Sequence, residues 1–233
     1  MDIPFFYEAA LPEHPDQFAL SSETSKHCIQ VLRMKPGEII ALTDGKGTRY
    51  DAVIVSADKK QTVVALSNKQ KTEHPFPATS IAISFVKNAA RMEWFLEKAT
   101  EIGVSAIYPL IATRTERTNF KAERWENIMI SAMLQSQQVW KPQLYQPVFF
   151  NNLLDDTFEG IKLIAHCEDG VKNTIAEIPN GQSQFILIGP EGDFTPDEIR
   201  QATAKGFQPV SLGKTRLRTE TAGIVAAVLL QNR

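Results

Sequence analysis

The sequence predicts an α/β fold class in two successive parts, a small antiparallel β-domain and then an α/β domain with a mostly parallel sheet. Before about residue 70, short alternating segments are separated by turns, whereas later apolar segments alternate with stretches of helical periodicity. A polar segment with two prolines, 69–77, separates the two textures and is the best linker in the chain. We therefore predict domains at 1–70 and 78–233, joined by a linker at 71–77.

A hairpin signal carries the prediction of the first domain. The apolar segment 38–43 is followed by an Asp-Gly turn at 44–47 and then by the alternating segment 49–55. Two such segments joined by an Asp-Gly turn are typical of antiparallel strands. A further alternating segment, 61–66, predicts another strand of the same domain.

Four apolar segments predict the strands of the second domain. Two of them, 161–167 and 185–188, are nearly continuous in apolar residues, which is typical of strands covered on both faces. The other two segments, 80–86 and 107–111, precede stretches of helical periodicity. Strands that alternate with helices in this way form mostly parallel sheets.

Four helices are predicted in the same domain. Apolar residues recur at helical spacing from Ala89 to the stop at Gly103, and again around Trp125. A third helix should begin after Thr195, because Thr195 and Glu198 are spaced as a capping box and Pro196 suits the first helical position, and it should end near Gly206. The last helix is predicted over 219–231, with Thr219 as its cap.

Composition excludes several classes of protein. The two cysteines, Cys28 and Cys167, lack the spacing of a disulfide framework or a zinc site, and the four histidines form no HExxH motif, so we expect no metal. The first residues show no secretory signal, and no apolar run approaches the roughly 20 residues of a membrane span, so we expect a cytoplasmic protein. With 25 basic and 27 acidic residues, any nucleic-acid surface must be a local patch.

The most informative motif is the turn at 189–194, between an apolar strand and the capped helix. It is neither a P-loop nor a GxGxxG turn, and it carries two carboxylates, Glu191 and Asp193, beside a helix start. A phosphate would meet two like charges there, so the turn suits a neutral or cationic ligand. A purely structural turn explains this motif equally well when it is taken alone.

A second motif also joins a strand to a helix. Segment 211–222 places Lys214, Arg216 and Arg218 within five residues, immediately before the last helix. Short charge runs are usually solvated loops, but an arginine beside a helix start can also present its guanidinium to a phosphate or a base. Two such turns in one domain favour a ligand site more than either turn alone.

Basic residues also follow two other predicted strands. Lys87 and Arg91 come after the first strand of the second domain, and Arg114 and Arg117 come after the next. The carboxyl ends of parallel strands share one edge of a sheet, so these residues should lie on one side of the domain. Ordinary surface charge explains each of them equally well singly.

Together these motifs resemble those of a known family. The pattern GPEGxF…LGxxxLRxETA, at 189–194 and 212–222, is similar to that of the ribosomal RNA small subunit methyltransferase E family. Segments 27–37, 87–104 and 115–117 also match that family, so the resemblance covers nearly the whole chain. The family belongs to the SPOUT superfamily of trefoil-knotted RNA methyltransferases that use S-adenosylmethionine.

The resemblance implies a fold, a reaction and partners. It implies an N-terminal PUA-like β-barrel followed by a SPOUT α/β domain with a trefoil knot, assembled as a homodimer. It implies methylation of N3 of one uridine in the 16S ribosomal RNA of the small subunit, with S-adenosylmethionine as the cofactor. It also implies that the cofactor is held by three loops, whose residues are His166, Cys167, Glu168, Gly189, Pro190, Glu191, Gly192, Leu212, Gly213, Arg216 and Leu217.

Roles for the remaining polar residues follow from the required chemistry. Negative charge that develops on the uracil needs a stabilising group, and we expect Arg218 to supply it. Glu220 is expected to act as the base or to orient Arg218. A set of basic residues is expected to hold RNA phosphates: Arg33, Lys35, Lys87, Arg91, Arg114 and Arg117.

The chain departs from the family pattern at three places. Asp193 replaces the second glycine of the usual GPEGG, and Thr215 replaces an arginine whose function Arg216 could take over. Leu134 and Gln138 replace a glutamate and an arginine of the family's second helix. The first two departures lie in the expected cofactor loops.

Three other functions remain open at this point. A protein of the same fold could bind RNA or the ribosome without catalysis, and failure to bind S-adenosylmethionine would favour that function. A SPOUT methyltransferase could act on another RNA, such as transfer RNA. An NAD- or nucleotide-dependent enzyme is disfavoured because the chain lacks both GxGxxG and a P-loop.

Overall fold

The structure is a computed structural model that describes residues 3–14, 16–116 and 118–232. Its contacts group the chain into two compact units. The first unit comprises Met1–His74 and Met133–Lys141, and the second comprises Pro75–Ala132 and Pro142–Arg233. The predicted domain limits of 1–70, 71–77 and 78–233 stay a prediction.

The first unit is built on a five-stranded sheet. Its elements in chain order are β1 (Phe5–Tyr7), β2 (Gln17–Ala19), α1 (Ser22–Lys26), a π-helical turn (His27–Val31), β3 (Ile39–Thr43), β4 (Thr48–Ser56) and β5 (Val63–Lys71). The strand order is β1-β3-β4-β5-β2. The predicted hairpin is confirmed, because β3 and β4 pair antiparallel with Ala41 opposite Asp51.

Two expectations for this unit were wrong. The sheet is mixed rather than wholly antiparallel, because β1 pairs parallel with β3, with Phe6 opposite Leu42. The linker segment proposed from residue 69 onward begins too early, because β5 continues to Lys71, which pairs with Thr48. The last residues of β5 are polar because their side chains are exposed. A run of polar residues is typical of a loop, and the sequence pattern therefore predicted a linker where the backbone forms a strand.

A segment from late in the chain completes the first unit. The Gly47 amide donates to the carbonyl of Val139, and the Lys141 amide donates to the carbonyl of Gly45. A Cβ on Gly47 would lie 2.6 Å from the Trp140 ring, so only glycine allows the hairpin tip to approach it. The chain therefore returns to its first unit at 133–141, which local sequence patterns do not reveal.

The second unit is built on a parallel sheet. Its first half comprises β6 (Thr79–Ser84), α2 (Ala89–Ile102), β7 (Ala106–Ile111), α3 (Ala122–Gln135), β8 (Gln143–Leu144), β9 (Val148–Phe149) and α4 (Phe150–Asp155). Its second half comprises β10 (Ile161–Ala165), β11 (Asn173–Thr174), a 3-10 turn (Ile175–Glu177), β12 (Gln184–Ile188), α5 (Pro196–Ala204), β13 (Gln208–Ser211) and α6 (Thr219–Gln231).

All strand pairs described in this sheet are parallel, as predicted. The order is β11-β13-β10-β12-β6-β7-β8, and β9 also pairs with β7. The four predicted strands correspond to β6, β7, β10 and β12, and β12 is buried along its whole length. Two hydrophobic clusters pack on the sheet, one including residues of α2, α3 and α6 and the other including residues of α4 and α5.

The helix signals were mostly confirmed. Helix α2 begins after Asn88, whose side chain accepts from the Ala90 amide, and ends at Gly103 with φ +94°. Helix α5 has the predicted capping box between Thr195 and Glu198. The predicted cap of α6 was wrong, because Arg218 is the N-cap residue and the hydroxyl of Thr219 instead donates to another loop, described below.

None of the described helices has the length and apolar character needed to cross a lipid bilayer.

Candidate active site

Five neighbouring strands bring the predicted motifs to one edge of the sheet. Strands β13, β10, β12, β6 and β7 are adjacent and parallel, so the loops that follow them lie side by side. These loops contain 212–218, 166–168, 189–194, 87–88 and 112–116. In open α/β sheets, ligands bind at this carboxyl edge, where neighbouring loops diverge.

The turn after β12 is closed by its own backbone. The Asp193 amide donates to the carbonyl of Pro190 at 2.9 Å. A Cβ on Gly189 would lie 3.1 Å from the Phe194 backbone nitrogen, so glycine lets the turn fold tightly over the buried Phe194 ring. The turn thus presents backbone groups at the strand end.

Hydrogen bonds tie this turn to the loops of three other strands. Glu191 accepts from the Lys87 amide at 3.0 Å, and the Arg114 guanidinium donates to the Gly192 carbonyl at 2.6 Å. The Asp193 carboxylate accepts from the Cys167 amide at 2.6 Å. The turn after β12 is therefore connected to the loops after β6, β7 and β10.

The start of α6 is connected to the same turn. The buried Thr219 hydroxyl donates to the Gly189 carbonyl at 3.0 Å. Since β13 and β12 are separated by β10 in the sheet, this bond joins two loops that are not immediate neighbours. The expected cofactor residues Gly189, Pro190, Glu191 and Gly192 consequently lie in the best-connected part of this edge.

The loop after β10 contains an unpartnered imidazole. Both ring nitrogens of His166 are buried and have no hydrogen-bond partner among the described residues. Burial lowers the pKa of His166, and the nearby Lys172 ammonium acts in the same direction, while the carboxylates of Asp193 and Glu168 oppose them. The ring is thus held in its neutral form, with one donor and one acceptor available.

The other two residues of this loop are exposed. Partial desolvation of the Cys167 sulfur raises the pKa of the thiol although the residue as a whole is exposed, and the Asp193 carboxylate adds to that shift, so the thiol is a poor nucleophile at neutral pH. The Glu168 carbonyl accepts from Lys172 at 2.5 Å.

The loop after β13 is the most open of the three expected cofactor loops. Gly213 adopts φ +145° and a Cβ there would meet nothing within 4 Å. Leu212 and Leu217 are half-buried, whereas Arg216 and Thr215 are exposed. The side chains of this loop therefore split between anchoring to the core and facing solvent.

Arg218 and Glu220 differ sharply in their surroundings. The exposed Arg218 guanidinium has no hydrogen bond or ion pair with any residue that the structure describes. Glu220 is 5% exposed; its Oε1 lies 3.5 Å from Nε of Arg91, and its Oε2 is buried without a partner. Glu220 thus pairs with Arg91, and no contact to Arg218 supports the expectation that it orients that arginine.

The residues expected to bind RNA are only partly free to do so. Lys87 forms an exposed ion pair with Glu116 at 2.7 Å, and Arg114 is occupied by the Gly192 carbonyl. Arg33 and Lys35 are exposed on the first unit. Arg117 lies outside the described residues, so the prediction made for it has no structural counterpart here.

Residues 3–14, 16–116 and 118–232 contain no group of three or more His, Cys, Asp or Glu side chains placed to hold a metal ion.

Comparison with known proteins defines the class of this chain. A family model described as an RNA methyltransferase domain matches residues 72–231, and a model described as an RNA methyltransferase PUA domain matches residues 20–66. The parallel-sheet unit with its carboxyl-edge loops is therefore an RNA methyltransferase domain, and the β-rich unit carries a PUA-like domain.

Individual relatives narrow the class. Ribosomal RNA small subunit methyltransferase E of Synechocystis is 33% identical over 208 residues, which are 86% of this chain and 68% of that protein. A probable rRNA-methyltransferase from Porphyromonas gingivalis shares 40% identity with a TM-score of 0.90, over 97% of this chain and 95% of that one. The Neisseria gonorrhoeae ribosomal RNA small subunit methyltransferase E bound to S-adenosyl methionine shares 31% identity with a TM-score of 0.86, over 99% and 97% of the two chains.

This chain belongs to the ribosomal RNA small subunit methyltransferase E family, and the resemblance drawn from its motifs is confirmed. The roles expected of individual site residues stay predictions.

Sequence reasoning missed the connections between the loops. The residues Asp193, Arg114 and Thr219 were noted for charge or for capping, but their partners lie 26, 78 and 30 positions away along the chain. The departure from glycine at Asp193 was a usable signal, because a carboxylate in a glycine turn needs hydrogen-bond partners.

Proposed function

We propose that this protein transfers a methyl group from S-adenosylmethionine to N3 of a specific uridine in 16S ribosomal RNA. The observation that carries the proposal is the meeting of three loops, 166–168, 189–192 and 212–217, at the carboxyl edge of adjacent strands β10, β12 and β13. These are the loops that the family uses for its cofactor. Membership of the family supports the reaction.

The residues at this edge fit S-adenosylmethionine. The cofactor has no phosphate, and the turn at 189–193 places the carboxylates of Glu191 and Asp193 where a phosphate would be repelled. Gly189 and Gly213 allow backbone to approach an adenosine closely, and the neutral His166 ring offers unpartnered nitrogens. When bound, the cofactor supplies an electrophilic methyl group on a cationic sulfur.

Two residues at the start of α6, Arg218 and Glu220, are proposed to act on the uracil. The unpaired, exposed Arg218 guanidinium is free to stabilise negative charge that develops on the ring. The unpartnered Oε2 of Glu220 is proposed to accept the N3 proton. Holding the two reactants in line accounts for much of the rate in such a transfer.

The RNA is held through its phosphates and through the target base. N3 lies on the Watson–Crick edge of uracil, so the base must leave its stack or pair before it reacts. Arg33, Lys35, Lys87, Arg91, Arg114 and Arg117 are the proposed phosphate contacts. Of the described members, Arg91 is half-buried, and the exposed Arg114 already donates its guanidinium to the Gly192 carbonyl.

The finer fold assignment is also a proposal. A trefoil knot in the second unit is proposed from membership of the family. A PUA-like β-barrel in the first unit is supported by the PUA-domain model that matches residues 20–66.

A homodimer in the cytoplasm is proposed from the family. Exposed apolar side chains on α2 and α6, namely Trp94, Val228 and Leu229, support self-association. A ribosomal RNA target supports action in the cytoplasm. Light scattering during size-exclusion chromatography would measure the mass of the assembly.

The test is methyl transfer from labelled S-adenosylmethionine to small ribosomal subunits that lack the modification. Naked 16S RNA and transfer RNA serve as competing substrates. Label mapped to N3 of a single uridine in the subunit's RNA is the expected result. Label in transfer RNA alone would replace the substrate, and cofactor binding without label in any RNA would overturn the proposed target. Absence of cofactor binding would favour a non-catalytic RNA-binding protein.

A further inference from the structure

Asp193 occupies a backbone conformation that suits glycine. Its φ is +63°, in the left-handed region that side chains with a Cβ adopt at a cost, although aspartate tolerates it better than most. The family pattern has glycine at this position. An aspartate kept there needs a compensating interaction.

The compensating interactions are two short hydrogen bonds to backbone. Oδ2 of Asp193 accepts from the Cys167 amide at 2.6 Å, and Oδ1 accepts from the Phe194 amide at 2.8 Å. Both acceptors belong to one carboxylate, so both bonds are charge-assisted. A glycine at position 193 could make neither bond.

These bonds join two loops that extend from adjacent strands. In the sheet, Ala165 at the end of β10 lies opposite Ile188 at the end of β12. Cys167 is two residues beyond the first of these ends, and Asp193 is five residues beyond the second. The carboxylate therefore restrains the loop at 166–168 just beyond the paired ends of strands β10 and β12.

We propose that Asp193 is a positioning residue that holds loop 166–168 against the turn 189–193 and so presets the cofactor site in this chain. The inference rests on the proposed function, because that function gives the two loops a shared ligand, S-adenosylmethionine. Restraining both loops before binding lowers the ordering cost of association, so affinity for the cofactor should depend on this carboxylate. The catalytic step itself should not, since Asp193 acts through backbone.

The test compares Asp193→Gly and Asp193→Asn with the unchanged chain. Glycine restores the family residue and accepts the positive φ without strain, so Asp193→Gly should fold. Asparagine keeps the size of the side chain but offers one oxygen acceptor, so its behaviour should be intermediate. Asp169→Gly is the matched control, because it removes an exposed carboxylate two residues from Cys167 that has no hydrogen bond in the structure.

Two measurements are decisive. Hydrogen exchange of the Cys167 amide, measured without cofactor, should be at least roughly 10-fold faster in Asp193→Gly and unchanged in Asp169→Gly. The dissociation constant for S-adenosylmethionine, measured by calorimetry, should rise about 10-fold in Asp193→Gly, with KM for the cofactor rising and kcat at saturation retained.

The outcomes separate the inference from the proposed function. Cofactor affinity and Cys167 exchange in Asp193→Gly equal to those of the unchanged chain would overturn the inference and leave the proposed function standing. An unchanged chain that does not bind S-adenosylmethionine would overturn the proposed function, and this inference with it. If Asp193→Gly does not fold, the same comparison with Asp193→Asn decides the matter.

Discussion

Arg218 and Glu220 are two positions apart at the start of α6, yet their surroundings suit opposite tasks. The guanidinium of Arg218 is exposed and has no partner among the described residues. The buried carboxylate has one oxygen near Arg91 and one without a partner. An unpaired guanidinium can stabilise negative charge that develops on a substrate in the transition state, whereas a buried carboxylate oxygen without a partner can accept a proton.

Arg218→Ala should lower the rate of methyl transfer by about 10²- to 10³-fold, because one stabilising donor of a developing charge is removed. Arg218→Lys should recover part of that loss, since it keeps the charge without the planar fork. Single-turnover transfer to small subunits would measure the rate, and cofactor affinity should stay unchanged. Arg200→Ala, an exposed arginine of α5, is the matched control; a fully active Arg218→Ala would rule out the assigned role.

His166 makes stability depend on pH in a defined direction. Because its pKa in the folded chain lies below the ordinary value of 6.5, the unfolded chain binds its proton first as the pH falls. The folded state therefore loses stability from about pH 6.5 down to the lower pKa. Above pH 6.5 the His166 ring is neutral in both the folded and the unfolded chain, so it causes no loss of stability there.

We expect the unfolding midpoint of the unchanged chain to fall more steeply between pH 7 and pH 5 than that of His166→Gln. Thermal unfolding followed by circular dichroism at several pH values would measure both slopes. His14→Gln, at an exposed position, should keep the slope of the unchanged chain. Identical slopes for His166→Gln and the unchanged chain would contradict the assignment.

At the scale of elements, α6 is positioned by close packing against α2 and β6. A Cβ on Gly223 would lie 2.6 Å from Cε2 of Phe95 and 2.8 Å from Cδ1 of Ile83. The helix therefore approaches its neighbours more closely than alanine would allow. This close packing fixes the position, relative to α2 and β6, of the start of α6, where Arg218 and Glu220 lie.

Gly223→Ala should destabilise the second unit by about 1–2 kcal/mol, because overpacking costs about 1–3 kcal/mol and the better helix propensity of alanine returns up to about 1 kcal/mol. Urea unfolding would measure the change. The double variant Gly223→Ala with Phe95→Leu should lose less than the sum of the single changes, since the ring that the new methyl meets is gone. Simple additivity would show that the packing argument is wrong.

At the scale of the whole molecule, the proposed site residues are distributed over both units. The proposed cofactor loops belong to the second unit, and the proposed phosphate contacts Arg33 and Lys35 belong to the first, after the π-helical turn. A net charge of −2 is compatible with RNA binding when cations are concentrated locally. A structured RNA also offers shape for recognition besides its charge.

Arg33→Ala with Lys35→Ala should weaken binding to 16S ribosomal RNA and reduce the slope of log K against log salt by about 1.5, as expected for two lost phosphate contacts. Titrations at several salt concentrations would measure the slope. Lys59→Ala with Lys60→Ala removes two exposed cations between β4 and β5 of the same unit and is the matched control. An equal effect of both pairs would show a general charge effect rather than a site.

The sequence by itself determined the α/β class, the helices α2, α5 and α6, and the two C-terminal motifs. Capping residues, helical periodicity and glycine turns involve only a few neighbouring positions, so they can be recognised in the sequence. The family followed from those motifs because their spacing is specific. Short elements such as β1, β8, β9 and β11 escaped detection, since two or three residues carry no periodicity.

Only the tertiary structure decided which groups meet. The return of 133–141 to the first unit, the pairing of Glu220 with Arg91, and the bonds that tie Arg114 and Asp193 to other loops join positions far apart in sequence. Such contacts depend on strand order, and the order β13-β10-β12-β6-β7 is set by burial of whole sheet faces rather than by any local pattern. The residue types therefore indicated the chemistry, whereas the packing of the sheet determined which residues are in contact.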